Sequence, residues 1–462
     1  MGVNFSPFEI GRRALHAAQL GLTVTGQNIA NVNTPGYSRQ SVLLSASPTD
    51  GANLRLIGTG VTIDGVRQFR DYFVDSRLRT ETAISGRLLA QRDALSPVDA
   101  AFNETSGNGI SSAMSGFFSA FQALETNPNS LPLRTDVVSK ANTMAVAFSA
   151  TRARLTGIRS DADRQLRDQV DQVNGLAQQV ADLNVRISTA EHSATSASEL
   201  RDQRGEVIRQ LSEMTGVRSV EDQNGMATLT LADGQALVSG NQVNALQVQD
   251  TLPDGLAAVM INGQTAAIGD GRLRGLQDSI AAVGGQITSL DDLAGSIAAR
   301  VNTLHTSGTD LNGNAGANFF AVPAAGPITA ANLAVSAAIK ADVKLVVASP
   351  LAPPATSATI AGAIGSLLTD PTSTAGSRTG SFSSIFASIV SDAGSGVKSV
   401  DDALMTQQAI LAQATAQRDA VSGVSLDEEA INLLQYQKSY EAAARFLKVA
   451  DDMTQTILSL GQ

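Results

Sequence analysis

A chain of 462 residues has room for two to four domains. Its 43 acids outnumber 33 bases (net −10) with no basic cluster, which leaves nothing to build a nucleic-acid footprint from. The absence of cysteine excludes disulfides and thiolate metal sites, and no run of eighteen apolar residues offers a membrane span.

Only 4 % of residues are aromatic and tryptophan is absent, while Ala, Gln, Ser, Thr and Gly abound. That composition favours long, thinly packed helices over one large core. The first of them is announced by Ser6-Pro7-Phe8-Glu9, a capping box with proline at the first helical position. The stripe that follows is Phe8, Gly11, Leu15, Ala18, Leu22, Thr25, Ile29 and Val32, in alternating steps of three and four. Phe8, Leu15, Leu22 and Ile29 recur every seven residues, the spacing of a coiled coil. Proline and glycine at Asn33-Thr34-Pro35-Gly36 predict the helix stop. Arg12-Arg13 resembles the start of a secretory signal, but His16, Gln19 and Thr23 interrupt the apolar stretch and no A-x-A site follows. The expectation is export, if any, without a cleaved signal.

Residues 41–70 alternate, and Val42-Leu43-Leu44 with Val61-Thr62-Ile63 predict a small hairpin containing Gly51, Gly58, Gly60 and Gly65. Gly58-Thr59-Gly60 lacks the lysine and helix start of a phosphate loop. Long helices are predicted over 71–103, 110–125, 133–191 and 199–214, the last closed by Gly216, with breaks at 103–109 and 192–198. Residues 217–272 change character. Turn signals at Asn224-Gly225, Asp233-Gly234, Gly240-Asn241, Pro253-Asp254-Gly255, Asn262-Gly263 and Asp270-Gly271 separate strands of about five residues. A small β-rich insertion projecting from the helices is expected there. Helical spacing returns over 272–306. Residues 321–380 are rich in Ala, Pro, Ser and Thr, with short helices predicted near 330–338 and 358–368. A helix over 382–421 leads to Gly423.

The last forty residues open on Ser425-Leu426-Asp427-Glu428, a second capping box, with Asp427, Glu428 and Glu429 placed where the helix dipole favours them. Leu433, Tyr436, Tyr440, Ala443, Leu447, Ala450, Met453, Ile457 and Leu460 form one stripe. Both ends therefore carry a seam that wants a partner, and each is the natural partner of the other. Two unrelated amphipathic helices packed on one core satisfy the same periodicity. The first forty residues, however, hold only Glu9, Arg12, Arg13 and Arg39 as charges, few for a surface helix.

No chemistry is apparent. His16, His192 and His305 are far apart in sequence and lack cysteine neighbours, so neither a metal site nor a nucleophilic triad has members. His192 and His305 sit near predicted helix ends, where a partly positive ring suits the dipole. Asp310-Leu311-Asn312-Gly313-Asn314 opens like a calcium loop but has Ala315 and Ala321 where glycine and a bidentate glutamate belong. Asp291-Asp292, Asp401-Asp402 and Asp451-Asp452 read as solvated helix faces. No catalytic residue, metal ligand or cofactor is assigned.

Asn28-Ile29-Ala30-Asn31, with Thr34-Pro35-Gly36-Tyr37 and the continuation Ser38-Arg39-Gln40, resembles the N-terminal signature of the bacterial flagellar axial proteins, which comprise rod, hook and hook-associated proteins. Gly60-Val61 onward, Leu200-Arg201-Asp202-Gln203-Arg204 (with Glu199 and Gly205 departing) and Leu426-Asp427-Glu428-Glu429-Ala430 through Tyr436-Gln437 and Tyr440 are similar to the same family. The Tyr37-to-Gln40 and Leu426-to-Ala430 stretches favour its hook-associated branch over rod or hook members. A soluble coiled-coil adaptor also explains the helices, but not residues 28–40.

The resemblance implies a mainly α protein. Terminal helices (1–45 with 423–462) pair as a coiled coil, a long-helix bundle with a short hairpin (46–216 with 273–422) forms the middle, and 217–272 is the β-rich insertion. It implies a structural protein at the junction of hook and filament, exported by the flagellar type III apparatus. Its partners would be copies of itself in a helical homo-oligomer, the hook protein and a second junction protein (hook-associated protein 3). An export chaperone would mask the C-terminal helix; neither nucleic acid nor membrane is expected. The self-assembly seams would be Phe8, Leu15, Leu22, Ile29 and Val32 at one end, and Leu433, Tyr436, Tyr440, Leu447, Met453 and Ile457 at the other.

Overall fold

The computed structural model describes residues 6–46, 60–102, 109–192, 197–250, 256–350 and 359–460. The predicted loop at Gly51 and Gly58, the breaks at 103–108 and 193–196, the turn at Pro253 to Gly255, and Pro353 and Pro354 lie outside these. So do the side chains of Ser6, Ile457 and Leu460.

The chain is mainly α. Helix α1 (Ser6–Ala30) leads into an antiparallel hairpin of β1 (Gln40–Ala46) and β2 (Val61–Gln68). Then come α2 (Tyr72–Phe102), α3 (Ile110–Thr126), α4 (Leu131–His192) and α5 (Ser198–Thr215). At 62 residues, α4 extends about 93 Å, a rod far longer than any compact core needs. Helix α5 ends on Gly216, whose φ of 65° is the left-handed conformation that lets its N–H reach the Ser212 carbonyl. Helices α6 (Gly271–Thr306), α7 (Ala337–Ala341), α8 (Ile360–Ser366), α9 (Phe382–Ser422) and α10 (Leu426–Leu460) follow. No described helix is long and apolar enough to cross a membrane.

Two cores form because the long helices share different neighbours along their length. In the first, Phe117, Phe118 and Phe121 of α3 meet Phe148 of α4 and Phe319, Phe320 and Phe382. Edge-to-face rings pack there, Phe117 and Phe118 with centroids 5.0 Å apart. The second core joins Leu166, Val170 and Val173 of α4 to the region after α5. There β3 (Arg218–Glu221), β4 (Ala227–Thr230), β5 (Ala236–Ser239) and β6 (Gln242–Val243) form one sheet. Strands β7 (Leu246–Gln249), β8 (Ala258–Ile261) and β9 (Gln264–Thr265) form the next.

These strands do not project as expected; they lie along α4 and share its core through Leu229, Leu237, Val238, Val259 and Ile261. Three polar side chains of α4 hold them there. Asp163 accepts from Ala257 N (2.7 Å), and Asn174 both donates to Leu246 O and accepts from Leu246 N. Asn184, fully buried, makes four bonds: to the carbonyls of Ala227 and Gly240, and from Ala227 N and the Arg204 guanidinium. A buried amide with all four positions satisfied adds specificity without a desolvation penalty left over.

The helix expected near 330–338 is replaced by a turn at 329–332, and α7 starts only at Ala337. Val335 pairs with Phe320 as an isolated antiparallel bridge, which commits its backbone elsewhere. Asp310 organises its own turn, its Oδ1 accepting from Asn312 N and Asn314 N.

His305 also departs from expectation. It is buried and neutral, with Nε2 accepting from Val347 N (2.9 Å), so that Nδ1 carries the proton given to the Ala317 carbonyl. Burial pulls its pKa from 6.5 to about 4. The unfolded chain therefore takes up this proton first, and the contribution of His305 to stability is complete above pH 6.5 and falls away between 6.5 and 4. The expected loss from this one group is about 2 kcal/mol between pH 7.5 and pH 5. Urea midpoints at the two pH values check this, because His305→Gln should flatten that part of the profile.

Candidate assembly interface

Helices α1 and α10 lie side by side and antiparallel. Leu447 sits on Gly11, Tyr436 on Gly21, and Glu429 on Asn28, so numbers rise along one helix as they fall along the other. The two glycines set the approach distance. A methyl group added at Gly11 would fall 2.6 Å from Leu447 Cδ2, and one at Gly21 would clash with the Cδ1–Cε1 edge of the Tyr436 ring. Glycine within a helix costs about 1 kcal/mol against alanine, so its use here is explained by this contact. The most deeply buried positions of α1 are the small ones, Gly11, Ala17, Ala18, Gly21 and Thr25, with Val24 and Asn28. Phe8, Leu15, Leu22, Ile29 and Val32 flank them, each half-buried.

On α10, Leu433, Tyr436 and Leu447 are half-buried and Ala443 and Ala450 are buried. Tyr440 stays 38 % exposed. Met453, 61 % exposed, stands on the opposite side. Two successive steps of three from Leu447 to Met453 turn the helix back by about 120°, enough to leave the seam. Ile431, Leu434 and Val449 share that outward side, all exposed, while the Phe446 ring reaches back to Gly11 at the edge of the seam. Helix α10 is thus apolar on two sides, and α1 covers one.

At one end of the pair a polar joint ties both helices to the body. Asn28 is its centre. Its Nδ2 donates to Gln40 O (2.9 Å) and Glu429 Oε2 (3.0 Å), while its Oδ1 accepts from Tyr37 Oη (2.9 Å) and Gln40 N (3.0 Å). Because Gln40 N can only donate, the amide has one workable orientation. The side chain of Glu429 is 2 % exposed and ion-paired with Arg39 at 2.8 Å. Arg39 also takes Glu428 at 2.6 Å, so the second capping box is half made: Ser425 Oγ accepts from Glu428 N at 3.5 Å, but the Glu428 carboxylate goes to Arg39.

The chain reaches this joint through Thr34-Pro35-Gly36-Tyr37, where Gly36 has φ of 80° and Tyr37 N bonds Thr34 O. Proline then glycine is what a type II turn requires. Asn31 caps that turn by accepting from Thr34 Oγ1 (3.1 Å). The body holds the same segment from the other side. Asp202 accepts from Ser38 N (3.0 Å), Arg418 donates to Tyr37 O (2.5 Å), and Ser422 O accepts from Arg39 N (2.9 Å). Burial, with Asp202 and two glutamates nearby, pushes the Tyr37 phenol up to about 12, and burial also raises Asp202. A phenol held that far above neutrality keeps its proton and serves as a fixed donor in the clamp.

Sequence reading placed Asn28, Asn31, Thr34, Pro35, Gly36 and Tyr37 in one motif, and all six surround this joint. Gln40, Glu429 and Asp202 belong to three separate family-like stretches, and only the fold brings them to this joint together with Arg418, which no motif marks. The acidic first turn of α10 was read as dipole compensation, and only the fold shows that one of its three acids is buried against Asn28, 401 positions away.

Comparison with known proteins gives a consistent set of relatives. The family model described as the flagellar hook-associated protein FlgK helical domain matches residues 95–320. The flagella basal body rod protein model matches 8–37, and the flagellar basal body rod FlgEFG protein C-terminal model matches 416–460. Flagellar hook-associated protein 1 of Bacillus subtilis is 28 % identical, with 99 % of each chain covered. The Escherichia coli protein of that name is 29 % identical over 67 % of this chain and 58 % of its own length. Among solved structures, the flagellar hook junction protein FlgK from Burkholderia pseudomallei shares the fold with a TM-score of 0.63 at 16 % identity, over 75 % of this chain and all of that one.

Proposed function

Because the chain belongs to the flagellar hook-associated protein 1 family, we propose that its terminal pair, α1 with α10, is the element through which copies assemble at the junction of hook and filament. The protein is an exported structural component of the bacterial flagellum, associated with the hook and other flagellar parts. The observation that carries the assembly reading is the second apolar side of α10. Ile431, Leu434, Val449 and Met453 are between 56 % and 65 % exposed in the single chain. Covering a leucine-sized side chain contributes about 1.5–3 kcal/mol, so a few per subunit offset the entropy of ordering a long helix.

The same side suits an export chaperone on α10 before secretion, since an amphipathic helix with no neighbour cannot bury its stripe. Transit through the type III channel with the ends disordered, and ordering of those ends against the hook protein, further copies and hook-associated protein 3, complete the proposal. No catalytic role is proposed.

A strain lacking this protein is expected to carry hooks without filaments and to release filament subunits into the medium. In the purified monomer, limited proteolysis should remove α1 and α10 first and leave the Phe117 core intact. Normal filaments in the deletion strain would refute the function. A stable dimer with protected ends would instead favour a closed coiled-coil adaptor.

A further inference from the structure

Where the terminal pair meets the body, a cavity of about 940 Å³ opens between the turn after α1 and helices α2, α5 and α9. Five arginines line it. Arg39 is held by Glu428 and Glu429, Arg70 by Asp75, Arg209 by Glu206, and Arg418 by Asp419 and the Tyr37 carbonyl. Glu213, the remaining acid of the wall, is turned to Arg272 at 3.7 Å. Arg79 is left over, with no hydrogen bond or ion pair among the described residues. Its guanidinium lies over the Tyr72 ring, 5.9 Å from the centroid. Burial lowers its pKa, and Asp75, already bonded to Arg70, opposes that shift only in part. A half-buried guanidinium with five unused donors is a costly thing to leave unmatched.

The adjacent surface is apolar. Phe73 is 83 % exposed and Tyr72 56 %, packed edge to face with centroids 6.1 Å apart. The Tyr72 hydroxyl donates to Ser219 O (2.9 Å), which fixes the ring, and Val220 beside it is 63 % exposed. An aromatic pair beside an unmatched arginine has the composition of an interface centre.

We propose that this corner receives a second copy of the chain, a carboxylate of the neighbour entering the cavity to take Arg79 while an apolar side chain covers Phe73. Two observations select a copy as the occupant. The chain carries ten more acids than bases, so its own surface is rich in the required group. The cavity also shares Arg39 and Glu428 with the joint of the terminal pair, so the contact continues the assembly interface. The inference rests on the assembly reading above and adds to it a body contact that neither seam supplies.

A photo-cross-linking amino acid placed at Phe73 in the full-length protein, irradiated in flagellated cells, is expected to yield an adduct of twice the chain mass. Arg79→Glu should lower that adduct at least tenfold and Arg79→Gln several-fold, with secretion and the melting temperature of the purified chain unchanged. An adduct only with a protein of different mass, or none, overturns the proposal, as does an Arg79→Glu adduct at normal yield. Leu447→Asp in the same strain separates the two readings. If it assembles normally, the terminal-pair reading fails whatever Phe73 reports. If it abolishes junctions while Phe73 in the otherwise native chain gives no homotypic adduct, only the body contact fails.

Discussion

Gly21→Leu should leave a protein that folds its body, is secreted, and builds no junction. The side chain would have to occupy the space of the Tyr436 ring, and helices pack too tightly for the ring to yield without α10 moving outward. Overpacking of this kind costs about 1–3 kcal/mol in a rigid core. Here the two helices are free to separate, so the penalty appears as lost pairing. At about 3 kcal/mol the equilibrium constant for pairing falls about a hundredfold. Leucine is the better helix former by nearly 1 kcal/mol, so loss of helix cannot be the cause.

Gly26→Leu is the control, because nothing lies within 4 Å of a Cβ added there. Filaments per hook and filament subunits released into the medium are the readouts. The melting temperature of the body, set by the Phe117 and Leu166 cores, should stay within a degree or two. Leu22→Asp and Leu447→Asp should behave as Gly21→Leu does. Filaments in normal numbers with all three variants would show that α1 and α10 need not pair.

Asn28→Asp is the second large effect, from a change of one atom. The new oxygen would face Gln40 O at 2.9 Å and Glu429 Oε2 at 3.0 Å, where the amide donated to both. Two attractions become two repulsions, and a second carboxylate is buried against the first. Placing an uncompensated charge in such a site costs about 3–5 kcal/mol. Burial and Glu429 would raise the folded-state pKa of this carboxyl above its unfolded value of about 3.9. The cost is then greatest above that raised pKa and shrinks as pH falls toward about 4, so the variant's deficit relative to the parent should narrow on acidification. Hydrogen exchange of α1 and the first turns of α10, parent and variant side by side at pH 7 and pH 5, measures it. Asn28→Asp with Glu429→Gln should recover most of the loss, because the new amide supplies the missing donor. An unchanged exchange pattern would mean that Asn28 does not hold the joint.

Much of this architecture is legible in residue order. Local rules mark the ends of the long helices: the Ser425 cap before α10, the left-handed stop at Gly216, and the proline–glycine turn at Pro35-Gly36. Heptad spacing after Phe8 and the stripe after Leu433 announce two seams in want of partners. The signature from Asn28 to Gln40 points to the family before any coordinate is known. What residue order alone did not disclose is the depth of each position. Phe8 and Leu22 look like the heart of the seam, yet they flank Gly11, Ala18 and Gly21, because close approach of two helices selects small residues at the line of contact.

The position of the strands in 217–272 also had to wait for the fold. Their turns are local and readable, but Asp163, Asn174 and Asn184, which pin them to α4, are ordinary polar residues of a long helix until the chain folds back. His305 is a helix-end cation by sequence and a buried neutral ring in space, since burial is a property of neighbours 12 and 42 positions away.

Sequence by itself determined the helices, the turns and the need for a partner, all consequences of interactions spanning a few residues. Tertiary structure decided that α10 runs antiparallel to α1, that Glu429 meets Asn28, and that Arg79 has no ion pair among the described residues. Those outcomes depend on which distant groups share a low-dielectric space, and periodicity carries no record of that.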